Sequence, residues 1–150
     1  MKPLGTRERI AQYLHGLDTD KREAMRTLHA LVSKIMPGCM LWFSDGRNVA
    51  GGIVPGPCIG YGSRIIRYTN GTTREVFRAG ISATNSGLSL HLFGMPDKTA
   101  LARKYAATIG RATVTGYCIK FQKLKDVNLR VLEKALHENA TSGLVPDDAD

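Results

Sequence analysis

The stretch CIGYGSRIIRYTNGTTREVFRAGIS, residues 58–82, decides the fold. Apolar and polar residues alternate along both halves, with the pair Asn70-Gly71 between them. Alternation with period two marks a strand, because successive side chains leave opposite faces of the backbone. Asn-Gly readily supplies the positive-φ residues of a tight hairpin turn. The stretch therefore predicts two antiparallel strands joined at Asn70-Gly71. In the first, Ile59, Tyr61 and Ile65 share one face, and Gly60, Gly62, Arg64, Ile66 and Tyr68 the other. In the second, Phe77, Ala79, Ile81 and Ala83 point one way, and Val76, Arg78, Gly80 and Ser82 the other. Glycine inside a strand marks a close approach. Gly60 and Gly62 are thus expected to lie against another backbone, a loop or a ligand, with Arg64 flanking the contact.

Outward from this hairpin the meander continues. Asn85-Ser86-Gly87 reads as a second tight turn, and LSLHLF (88–93) sets Leu88, Leu90 and Leu92 on the apolar face, opposite Ser89, His91 and Phe93. Farther on, TGYCIKF (115–121) predicts a strand with Tyr117, Ile119 and Phe121 inward and Cys118 and Lys120 outward. Helical spacing governs the flanks. RERIAQYLHGL (7–17) brings Ile10, Tyr13, Leu14 and Leu17 together, and a second helix begins at Asp20 as N-cap with Glu23 completing a capping box. Its apolar stripe is Ala24, Leu28, Leu31, Val32 and Ile35, and Pro37-Gly38 ends it. DKTALARKYAATI (97–109) follows Pro96 as a third helix that buries Leu101 and Tyr105 and stops at Gly110. DVNLRVLEKALHENA (126–140) closes the series with Leu129, Leu132 and Leu136 in register. MLWF (40–43) reads as a short strand, and the Gly- and Pro-rich run 44–57 as a connecting loop. The predicted order is ααβββαβα, an α+β two-layer domain with helices on one face of an antiparallel sheet. One domain is expected over 1–140, with an acidic, frayed tail at 141–150.

Composition narrows the function classes. The chain has 150 residues, 43% of them hydrophobic and 23% charged, which excludes disorder over most of its length. A formal charge of +8 favours an anionic partner. Cys39, Cys58 and Cys118 form no C-x-x-C pair and are an odd number, so reduced thiols and a cytoplasmic location are expected. No uninterrupted apolar run reaches the length of a membrane span, and MKPLGTRERI lacks the apolar core of a signal peptide, so no membrane association is expected.

Three groups of residues in CIGYGSRIIRY, in the strand through SLHLFG, and in GRATVTGYCIKFQKLKDVNLRVLEKAL then carry a resemblance. Gly60, Tyr61 and Gly62 stand where a Gly-aromatic-Gly strand is found. Gly110, Arg111, Gly116, Cys118, Ile119, Lys120 and Phe121 match a second strand, and Leu124, Asp126, Val127, Leu129, Val131 and Leu132 the helix after it. In these positions, over roughly residues 7–140, the chain resembles the YdhG-like domain family of unknown function. The resemblance implies a frataxin-like α+β fold and no established reaction, although some members are labelled iron chaperones. Relatives closest in pattern often carry an acidic-aromatic turn where this chain reads GTTREVF.

The chemistry legible from residue types is sparse. His15, His29, His91 and His137 are scattered singly, without metal-ligand spacing, so no metal or cofactor is expected. An iron carrier needs clustered carboxylates, whereas residues 1–38 interleave four acids with seven bases. His91 and Cys118 meet if their strands are neighbours, which leaves a metal carrier or a thiol- and histidine-dependent enzyme as the alternative reading. GRATVTG (110–116) offers an arginine and two threonine hydroxyls but leads into a strand and reads as a supple junction. The stronger candidate is the outer sheet face. There Arg64, Arg78, His91 and Lys120, one from each strand, are expected beside Gly60 and Gly62 as a basic surface for an anionic ligand. Only Tyr68 and Phe93 would add aromatic surface, too little for specific nucleic-acid binding. A solvated polar face, or one covered by a second copy of the chain as a homodimer, is favoured over such a ligand site, and Ile66, Tyr68, Val76 and Phe93 support the homodimer. A non-enzymatic binding or interaction domain is the function these residues favour.

Overall fold

A computed structural model describes residues 5–45, 57–67, 69–84, 87–95 and 97–141. The expectations for Tyr68, Pro96, the Asn85-Ser86 turn, the side chain of Ile66, and most of the 44–57 loop and the acidic tail fall outside the described residues. Within them, two helices come first, α1 (Thr6–His15) and α2 (Thr19–Ile35). Asp18 caps α2, its side chain accepting the Lys21 amide at 3.0 Å, so the cap lies two residues before the expected Asp20. Arg22 ties the pair by donating to the carbonyls of His15 and Leu17. Burial on α2 centres on Met25, Leu28 and Val32, with Leu31 and Ile35 packed at the margin.

Strands β1 (Leu41–Asp45), β2 (Pro57–Tyr61), β3 (Arg64–Arg67), β4 (Thr73–Val76), β5 (Ala79–Thr84) and β6 (Gly87–Leu92) follow. After helix α3 (Ala100–Tyr105), much shorter than expected, come β7 (Thr113–Thr115), β8 (Cys118–Phe121), a 3₁₀ turn at Leu124–Asp126 and helix α4 (Leu129–Thr141). Six strands form one antiparallel sheet in the order β1-β2-β5-β6-β8-β7, while β3 and β4 pair only with each other. The class is α+β, but the order of elements differs from the expected ααβββαβα. The difference has a local cause. The hairpin around Asn70-Gly71 exists, yet both of its long arms break. Gly62, at φ +71, turns the chain out of β2, and the run through Phe77-Arg78 separates β4 from β5.

Register fixes the two faces. Phe43, Ile59, Ile81, Leu90, Ile119 and Val114 lie side by side across the sheet. With Tyr61, Leu92, Phe121 and residues of all four helices they make one core, which contains Leu28, Leu132 and Leu136 as expected. Leu129 does not join it and is 39% exposed. Ile65, expected on the face of Ile59 and Tyr61, is carried onto β3 by the turn at Gly62 and is 48% exposed. Phe77 is a further departure. It belongs to a second cluster with Cys58, against which Trp42 and Phe93 pack. That cluster sits on the outer face, where Gly60 pairs with Trp42 on one side and Gly80 on the other. A Cβ on Gly60 would stand 2.7 Å from the Phe77 ring, and one on Gly80 2.6 Å from it. The close approach expected at Gly60 is therefore made by a side chain of the same chain.

Candidate functional site

The four cations expected on the outer face do not converge. Arg64 lies on β3, in the separate two-stranded sheet, and its guanidinium donates to the Phe93 carbonyl. Arg78 is buried and is drawn to the far end of α4, where its Nε donates to the Asn139 carbonyl at 2.7 Å. A guanidinium against the carbonyl end of a helix is favoured by the helix dipole. Asn139 completes the junction, its Oδ1 accepting the Gly94 amide at 2.6 Å and its Nδ2 donating to the Arg78 carbonyl at 3.2 Å. Gly62 lies beside Arg78, where a Cβ would stand 3.5 Å from the Arg78 Cβ and 2.7 Å from the Met36 methyl. These two arginines and Gly62 thus hold elements together.

His91 and Lys120 do belong to the outer face, in adjacent rows. The row through His91 reads Trp42, Gly60, Gly80, His91, Cys118 and Thr115. His91 and Cys118 are direct cross-strand partners. His91 is buried, stacks on Phe93 at 6.0 Å between ring centroids, and has its Nε2 3.4 Å from the Ser82 hydroxyl. Burial, reinforced by the Lys120 charge, lowers its pKa to about 4. Burial also raises the Cys118 thiol, against a smaller opposing pull from Lys120. Both groups are held neutral, the opposite of the thiolate–imidazolium pair that a nucleophilic cysteine uses. Among the described residues no three His, Cys, Asp or Glu side chains come together as a metal site. Of the apolar residues considered for a dimer contact, Val76 is buried within the chain and Phe93 packs against Phe77, His91 and Tyr117.

The next row runs through Lys120. Lys120 is exposed and stands directly between Ser89 on β6 and Thr113 on β7. Arg111 lies two residues before Thr113, just outside β7, and lines the same groove as Lys120. Its backbone amide is fixed by the Asp126 carbonyl at 2.8 Å, and Gly110, at φ +107, turns the chain into this position. At the same end of the sheet Gly87 lets β6 close on β8, because any Cβ there would fall 2.4 Å from the Phe121 carbonyl oxygen. The outcome is an open groove of about 530 Å³ lined by Thr84, Leu88, Ser89, Arg111, Ala112, Thr113, Lys120, Phe121, Gln122 and Asp126. Among the described residues the lining holds two cations, Arg111 and Lys120, one acid, Asp126, three hydroxyls and an amide. A neighbouring groove of about 400 Å³ shares Leu88 and Gln122 but interleaves Lys21, Lys123 and Lys125 with Asp20 and Glu23, so its charges largely offset one another.

Lys120 is thus the one expected candidate that remains in an open, basic setting. Arg111 and Thr113 come from GRATVTG, whose alternation over Arg111, Thr113 and Thr115 is the signal for the short strand β7 and for a second cation on the face of Lys120. Searches with this chain against protein-family models, curated proteins and solved structures find no match. Among the described residues no helix is long and apolar enough to cross a membrane.

Proposed function

We propose that the chain is a non-enzymatic binding domain of the YdhG-like type, frataxin-like in its layering, whose outer sheet face takes a small anionic ligand in the groove of Arg111 and Lys120. The observation that carries this reading is the register that sets Lys120 between Ser89 and Thr113, with Arg111 beside them. Cations on a sheet face flanked by hydroxyls bind an oxyanion by charge-assisted hydrogen bonds, about twice as strong as neutral ones. The YdhG-like motifs point to the same place, since Gly110, Arg111, Lys120, Phe121 and Asp126 belong to the run that carries the resemblance. Binding is favoured over catalysis because His91 and Cys118, the nearest reactive pair, are both held neutral.

Isothermal titration with inorganic phosphate at low salt tests the reading. Binding in the range of about 1 mM, equivalent to about 4 kcal/mol, is expected, and Lys120→Gln combined with Arg111→Gln should abolish it. Binding unaffected by that double variant contradicts the site. Single-stranded DNA held at submicromolar affinity in physiological salt, with a log–log salt slope of about −0.7 per phosphate contacted, would replace the small ligand by a polyanion.

A further inference from the structure

Resting on the anion-binding reading above, we infer that the ligand is a phosphorylated polyol, with its phosphate between Arg111 and Lys120 and a hydroxyl donating to Asp126. Among the described residues the groove contains one carboxylate, and that carboxylate sets the second half of the ligand. Asp126 Oδ2 accepts the Lys123 amide at 3.2 Å, while Oδ1 has no hydrogen-bond partner among the described residues. A fully ionised oxyanion placed against Asp126 is repelled, so the part of the ligand reaching it must bring a proton donor. An ammonium group would meet Arg111 and Lys120 in the same groove and be repelled in turn. A hydroxyl is the donor that both surroundings accept. Ser89, Thr113 and Gln122, each able to donate and to accept, suit further hydroxyls of a polyol.

The lining also argues against a nucleotide. Among the described residues Phe121 is the groove's one aromatic residue, and at 4% exposed it offers no open face to a base. The outer-face rings Trp42, Phe77 and Phe93 pack against Cys58 and one another, away from this lining. A volume of about 530 Å³ lies within the usual range for small-molecule sites of roughly 300–1,000 Å³.

The test is calorimetric titration of the full chain with inorganic phosphate, glucose 6-phosphate, glucose and adenosine monophosphate. Glucose 6-phosphate should bind about tenfold more tightly than phosphate and than the nucleotide, a difference of about 1.4 kcal/mol, with glucose alone showing no binding. Asp126→Asn should cut that advantage to about threefold or less and raise phosphate affinity, since the carboxylate's repulsion is removed. Asn keeps an acceptor for the Lys123 amide, and a thermal melt checks that the variant is folded. Phosphate binding with no gain for glucose 6-phosphate overturns the polyol and leaves the anion site standing. Preference for the nucleotide overturns the ligand class. Binding of none of the four overturns both.

Discussion

Asn139→Ala is the sharpest test of how the layers are joined. Asn139 lies on the buried side of α4, fully excluded from solvent, and its side chain makes two hydrogen bonds that bridge to the sheet. Oδ1 holds the Gly94 amide at 2.6 Å and Nδ2 holds the Arg78 carbonyl at 3.2 Å. Alanine removes both, while the bond from Arg78 Nε to the Asn139 backbone carbonyl is not a side-chain bond and survives. Each buried group left without its partner costs about 1–3 kcal/mol, so the loss is about 2–6 kcal/mol. Against a total stability of about 5–15 kcal/mol that is a large fraction. For a chain of this length each kcal/mol lowers Tm by about 2–4 °C, and the variant should melt at least about 4 °C below the parent. Urea unfolding at fixed pH, followed by circular dichroism, measures the same loss. A midpoint for Asn139→Ala indistinguishable from the parent would refute the junction.

Three further outcomes follow from burial and contact. Leu90→Ala empties the centre of the core between Ile81 and Ile119 and should cost about 2–5 kcal/mol by denaturant unfolding, whereas an unchanged midpoint would mean the sheet faces the other way. His91 has a folded pKa near 4, below the 6.5 it has when unfolded, so its contribution is complete above pH 6.5 and is lost as pH falls toward 4. The drop in unfolding free energy over that range should be visibly smaller in His91→Gln, and equal slopes for the two proteins would exclude His91 as the source. Gly80→Ala drives a methyl into the Phe77 ring and should destabilise by about 1–3 kcal/mol while shifting the fluorescence of Trp42, whose ring lies 6.3 Å from Phe77. Phe77→Leu in the same chain should recover part of the loss, and a Gly80→Ala protein as stable as the parent would contradict the packing.

Much of the sheet was legible because it depends on alternation alone. Ile59, Ile81, Leu90 and Ile119 reach the core as their period-two pattern requires. Alternation does not report where a strand bends. The break at Phe77-Arg78 reverses the reading of Phe77, which turns onto the glycines of the outer face, and sends Arg78 to a helix end. Helix ends were less sharply written, since Asp18 and Asp20 are both competent caps and only the packed structure selects the first. Asn139 had a readable signal, a polar residue three positions beyond Leu136 on the stripe of α4, but its partners, Gly94 and Arg78, come from distant turns beside the sheet. The groove was half legible. Lys120 follows from parity, whereas its meeting with Arg111 depends on the β7–β8 register, which a three-residue strand scarcely encodes.

The central claim, that this end of the outer sheet face holds an anion, is tested most directly by phosphate titration of ¹⁵N-labelled protein. The account predicts saturable shifts confined to the amides around Ser89, Arg111, Thr113, Lys120 and Gln122, and their loss in the Lys120→Gln, Arg111→Gln double variant. Shifts centred on another surface, or none up to about 10 mM phosphate, tenfold above the expected dissociation constant, would contradict it.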